Sequence, residues 1–261
     1  MRQLNHAAVV VSTMPIGLAA PYLPLGSMFC TRDRACVEGP ERAICALRCF
    51  ADRPVVQAGS VGECMQDDAP GRAAMSTEGL EHAQSITRAV LANVQVDHLD
   101  KPTPCQSWAL RDVINHLVAA NNWFAGTMNS GASAPEDKTD YASGEFLHTY
   151  DAACKASVAA FGAPGALDKI VKLPFGELPG SVYLGLATND IFAHGWDVAK
   201  ATGQPTDLDP AMAEQLLAGM EIGLPDEMRG PDGIAPFGPK QSAPEGASAA
   251  DRLAAFLGRT V

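Results

Sequence analysis

Beyond residue 76 the apolar positions recur at spacings of three and four, the period of a helix with one buried face. Leu80, Ala83, Thr87, Val90, Leu91 and Val94 form a first stripe, which predicts a helix capped by Ser76 or Thr77 and running to near Asp97. Pro102 and Pro104 force an extended connection. A second stripe follows through Val113, His116, Leu117, Ala120 and Phe124, with Ser107 as its expected cap and Asp112 adding negative charge to the first turn. Residues 126–140 read as a polar loop. A third helix is expected over 142–161, burying Phe146, Tyr150, Ala153, Ser157 and Phe161 and leaving His148 outside. Cys154 lies beside that stripe and reads as a small buried apolar residue.

The period then changes. Residues 169–173 are short and β-prone, and Pro174-Phe175-Gly176 and Leu178-Pro179-Gly180 carry turn chemistry, so a small ribbon or extended crossover is expected. The fourth helix starts near Ser181, places Leu184, Ala187, Ile191, His194 and Val198 on one stripe, and stops at Gly203. Asp209-Pro210 opens a fifth helix to about Gly223. Five prolines between 225 and 247 predict a long irregular loop, after which Ser248 and Asp251 open a last short helix stopped by Gly258. The pattern predicts an all-α bundle with a ribbon insertion and extra C-terminal helices.

Residues 1–74 lack any such period. They hold five of the seven cysteines, and their seven arginines balance seven acids, so the net charge of −11 belongs to residues 75–261. The start loosely resembles a secretory signal, but Pro15 interrupts its apolar run and no small-x-small cleavage site follows. Cys45-x3-Cys49 fits no strong zinc spacing, and an odd count of five cysteines argues against a closed disulfide framework. The expectation is a disordered or mistranslated extension, with Met75 as the natural start of a single domain over 75–261.

Acidity argues against nucleic acid or an anionic membrane as partner, since phosphate would repel this surface. No run is long and apolar enough to span a bilayer. The candidate chemistry lies on the second and fourth helices. Asp190 and His194 are one turn apart and project from one face. That face is the apolar one, where an unpaired carboxylate costs several kcal/mol, on the order of the desolvation of a charge. His116 sits in the middle of the second stripe. Two explanations satisfy these residues: a divalent cation shared by His116, Asp190 and His194, or an Asp190–His116 hydrogen bond with no metal. Asp197 reads equally as a second-layer group or a surface charge. Trp123 and Trp196 read as core packing rather than pocket walls.

Four motifs in order then carry a resemblance: Thr103-Pro104-Cys105-x-x-Trp108; Arg111-Asp112-x-x-Asn115-His116-Leu117-Val118; Phe175-Gly176-Glu177-Leu178-Pro179-Gly180; and Asp190-x3-His194-Gly195-Trp196-Asp197-x-Ala199-x-Ala201-Thr202-Gly203. With the ending Arg252-Leu253-x-x-Phe256-Leu257-Gly258-Arg259, the chain over 76–259 resembles the actinobacterial DinB-like metal-binding proteins, the branch of the mycothiol-dependent maleylpyruvate isomerase metal-binding domain. The resemblance implies a four-helix bundle with a long crossover between its second and third helices. It implies a divalent metal, zinc before nickel, on His116, Asp190 and His194. The isomerase has glutamate where Asp190 stands and carries a further C-terminal domain that helps form its active site. It has threonine where Ala109 stands, a change confined to the helix cap.

Two imidazoles and one carboxylate leave an open coordination position, as catalytic sites do. The resemblance therefore implies a metal-dependent thiol transferase or isomerase that joins mycothiol to a small electrophile in the cytoplasm. No side chain is assigned a catalytic role beyond the metal. The rivals are a metal-dependent hydrolase using activated water and a non-catalytic metal-binding bundle, and a homodimer through the bundle faces stays open. For the first 74 residues, intact mass of the natively expressed protein is the test. A mass beginning at Met75 is expected, and one that includes Cys30 overturns it.

Overall fold

The computed structural model describes residues 77–261 apart from Gln106, Asp232 and Gly233. The expectations for residues 1–74 lie outside the described residues. Six helices and one hairpin follow in order: α1 (Thr77–Leu91), α2 (Leu110–Ser130), α3 (Phe146–Phe161), β1 (Ile170–Leu173), β2 (Gly176–Pro179), α4 (Gly180–Thr202), α5 (Pro210–Gly223) and α6 (Ala249–Phe256). Short 3₁₀ turns occupy Val96–His98 and Asp226–Met228.

Helices α1 to α4 form the bundle. α1 packs on α4 and α2 on α3, and the contacts α1–α3 and α2–α4 close the ring. The predicted stripes are the buried ones: Leu80, Ala83 and Thr87 on α1, Val113, Leu117 and Phe124 on α2, Tyr150, Ser157 and Phe161 on α3, and Leu184, Ile191 and Val198 on α4. Burial pushes the Cys154 thiol up to about 12, which suits a packed residue and not a nucleophile. Two cross-ties fix the register. The buried Gln84 amide donates to Asn121 Oδ1 at 2.8 Å and Ser157 Oγ at 2.9 Å, joining three helices. Thr87 Oγ1 donates to the Ile191 carbonyl of α4 at 2.9 Å.

Four boundaries differ from the periodicity. α1 stops at Leu91, because Asn93, Val94 and His98 bond three residues back and tighten the chain into turns. α2 runs through the expected loop to Ser130 and ends on Gly131 at φ 80. Its N-cap is Ala109, not Ser107; in place of a side-chain cap, the Ala109 N–H donates to Asp112 Oδ2 at 2.9 Å. α3 begins at Phe146, since residues 141–145 are held by turns around Gly144. The hairpin forms as expected, with Leu178 and Pro179 inside β2 rather than in a turn. Asp209 caps α5 through the Met212 N–H at 3.0 Å, and Ser248 caps α6 through the Asp251 N–H at 3.0 Å.

The connection 131–145 crosses toward the hairpin and is bonded to it, Ser133 N to the Lys172 carbonyl at 2.9 Å and Lys172 N to the Gly131 carbonyl at 3.0 Å. Together with the loop between α5 and α6, it builds a wall beside α2 and α4.

α1 and α4 approach closely at Gly195, where a Cβ would meet Thr87 Oγ1 at 2.3 Å and Thr87 Cβ at 3.1 Å. Thr87 is fully buried and already bonded to α4, so it has no room to move. Gly195→Ala is expected to cost about 1–3 kcal/mol by overpacking. Urea denaturation checks this, and an unchanged midpoint would show that the two helices do not meet here.

Candidate metal centre

The site grows from three local structures. α2 carries His116 and α4 carries Asp190 and His194 on facing stripes. Ahead of α2, the two prolines hold the chain extended, and Thr103 Oγ1 donates toward the Trp108 carbonyl at 2.8 Å and the Cys105 carbonyl at 3.1 Å. This folded loop sets the Trp108 ring 4.9 Å from His116 and 5.5 Å from His194, nearly parallel to the latter. The two imidazoles meet edge-on at 4.5 Å.

His116, Asp190 and His194 converge, their ligand atoms all within 4.8 Å of one another. His116 Nε2 lies 3.1 and 3.3 Å from the two Asp190 oxygens, and His194 Nε2 lies 3.6 Å from Asp190 Oδ1. Two donors about 2.1 Å from a tetrahedral cation stand roughly 3.4 Å apart, so this donor set fits a zinc-like ion with small adjustment. Burial pushes the Asp190 carboxyl up, yet the charge and hydrogen bond of His116, with His194 and Arg259 further off, bring it below the ordinary value.

A second layer orients the first. His194 Nδ1 lies 2.9 Å from Asp197 Oδ2, and Asp197 is completely buried. A carboxylate there accepts a hydrogen bond from Nδ1–H, which leaves the Nε2 lone pair facing Asp190 and the centre. Burial raises the Asp197 carboxyl, but the Arg259 guanidinium and the His194 hydrogen bond outweigh it and hold it well below the usual range. Arg259 donates to Asp197 from Nη2 at 3.0 Å and from Nε at 3.3 Å. Cys105 Sγ is 3.6 Å from both Asp197 Oδ2 and Arg259 Nη2. Cys105, His194 and Asp197 are a second close trio of ligand types, but Asp197 is committed to Arg259 and His194 presents it the protonated nitrogen.

Trp123 does line the cavity beside this centre, and its Nε1 donates to the Ala134 carbonyl at 2.9 Å. Trp196 is core, 1% exposed and bonded to Asp251. His148 is exposed and His82 pairs with Asp209 far from the centre. Sequence reasoning passed over Trp108, Cys105 and Arg259 as site residues. Their only signal was membership of quoted motifs, and Arg259 is 62 residues from its partner.

The cavity has a volume of about 780 Å³. It opens between α2, α4, the 133–137 segment, the hairpin turn at Pro174-Phe175 and the Pro-rich loop around Phe237. Asp190, His116 and His194 reach its wall from one side.

The family described as "Mycothiol maleylpyruvate isomerase N-terminal domain" matches residues 80–199. Two uncharacterized proteins of Mycobacterium tuberculosis, from strains CDC 1551 / Oshkosh and H37Rv, are each 40% identical over 181 residues, covering 69% of this chain and 96% of theirs. The chain belongs to the mycothiol maleylpyruvate isomerase N-terminal domain family. Its all-α DinB-like bundle with a small β insertion is the expected architecture, and the family match points to a mycothiol-related, DinB-like metal-binding family. No solved structure matches.

The buried groups impose a pH dependence on the metal-free chain. Burial, reinforced by nearby His116, lowers His194 below 6.5 despite its bond to Asp197, so the unfolded chain binds that proton first and stability falls as pH drops below about 6.5. Asp190 and Asp197 are also lowered, so their contribution is present above about pH 4 and is lost on further acidification. Urea midpoints of metal-stripped protein are expected to decline in these two stages. A midpoint flat from about pH 7 to 5 would contradict the assignment for His194.

Proposed function

We propose that the protein is a divalent-metal-dependent transferase or isomerase that uses mycothiol as its thiol and acts on a small electrophile. The observation that carries this is the convergence of His116, Asp190 and His194 on the wall of a cavity large enough for two small molecules. Zinc is the ion we assign, because two imidazoles and a carboxylate at near-tetrahedral spacing suit it. A cation held there supplies Lewis acidity, lowering the pKa of a thiol that reaches its open position.

The chain's own residues do the rest. Asp197 holds His194 with its lone pair inward, and Arg259 keeps Asp197 ionised. Trp108 covers both imidazoles and excludes water from one side. The Pro-rich loop and the C-terminal Leu257–Arg259 close the cavity where the bundle alone would leave it open.

The protein is assigned to the cytoplasm, where low-molecular-weight thiols stay reduced. Among the described residues no helix is long and apolar enough to cross a membrane.

A second reading has its own support. The 3.1 Å His116–Asp190 contact satisfies the carboxylate as a plain hydrogen bond, as a non-catalytic bundle would need. Metal analysis separates the two. About one zinc per chain is expected, falling below about 0.2 in His194→Ala. With metal present, turnover of simple electrophiles should require mycothiol; ester hydrolysis without thiol would replace thiol transfer with water activation.

A further inference from the structure

The charge of the cavity wall narrows the second substrate. Among the described lining residues the formal anions are Glu136, Asp137 and Asp190, and the formal cation is Arg259. Arg259 is spent: two of its donors are on the fully buried Asp197, and a third bonds the Leu257 carbonyl at 3.4 Å. Burial pushes the Asp137 carboxyl up, but hydrogen bonds from Tyr141 and Thr139 bring it below its ordinary value, so it is an anion at neutral pH. Glu136 is paired at 3.2 Å with Lys138, whose side chain is 77% exposed and turned to solvent, not to the cavity.

Much of the remaining wall is aromatic and aliphatic. Trp108, Trp123, Phe124, Phe175 and Phe237 face one space. Two buried polar atoms among the described residues lack a hydrogen-bond partner, Tyr183 Oη and Asn189 Oδ1, and both residues line this cavity. The polar residues that line the cavity apart from the centre, the two acids and Arg259 include Ser107, Ser133 and Gln241, all uncharged, so the wall suits a neutral hydrogen-bonding function.

We infer that the electrophile is an uncharged, largely apolar molecule of aromatic size carrying a neutral polar group such as an amide or carbonyl, and not a carboxylate. This rests on the proposed thiol-transfer reading for the word electrophile; the selection itself is a property of the wall. No unpaired cation among the described wall residues would offset a carboxylate, and Asp137, with Glu136 only partly neutralised by Lys138, would repel it.

The test uses a near-isosteric pair, benzamide and benzoate, titrated into the full metal-free chain at about pH 8 and followed by the fluorescence of the cavity tryptophans. Benzamide is expected to bind at least about tenfold more tightly. In Glu136→Gln/Asp137→Asn the ratio should narrow to less than about threefold, which a purely steric preference would not do. Equal or tighter binding of benzoate overturns the inference, and so does binding of neither probe at millimolar concentration. Because this arm contains neither metal nor thiol, its failure is separable from that of the proposed function: absent thiol-dependent turnover would remove mycothiol and leave the ratio standing.

Discussion

The fully buried Asp197 carboxylate is the constraint on which the site depends. Ionised in the interior, it would be prohibitively costly alone. Arg259 answers it from the C-terminal end, His194 from one turn away on α4, and Cys105 from the loop before α2. Each of these ties a different segment to one point. The C-terminal residues, the entry to α2 and the face of α4 are therefore set relative to one another by a single charge pair, and the orientation of His194 follows from it.

The bundle supplies the two facing helices, but the surroundings of the candidate centre are made by what is added to them. The folded loop ahead of α2 brings Trp108 over both imidazoles. The 131–145 connection, pinned to the hairpin by backbone bonds, contributes acidic residues to the cavity wall. The Pro-rich stretch before α6 does the same with apolar ones. Irregular segments thus surround a candidate site whose three converging side chains stand on regular elements, a division that keeps their geometry rigid and leaves the wall free to vary.

Much of this was legible in the periodicity. The stripes on α1 to α4 are local facts of spacing, and burial of one face makes them true of the folded chain. His116, Asp190 and His194 were legible for the same reason, since a polar residue on an apolar stripe requires a partner. The boundaries that moved were those set by hydrogen bonding rather than by pattern. α2 extends through Gly126 because an isolated glycine weakens a helix without ending it, and α1 stops early because its last turns tighten.

The sequence by itself determined which faces are buried, where the caps at Asp209 and Ser248 lie, and that His116, Asp190 and His194 stand on or beside apolar stripes. These follow from period and local chemistry. Only the tertiary structure decided that Asp197 is buried and not a surface charge, that Arg259 is its counter-ion, and that Trp108 and Trp123 bound the cavity while Trp196 does not. Those outcomes depend on contacts between residues far apart in the chain, and no local pattern encodes which of several equivalent charges or rings the fold will bring together.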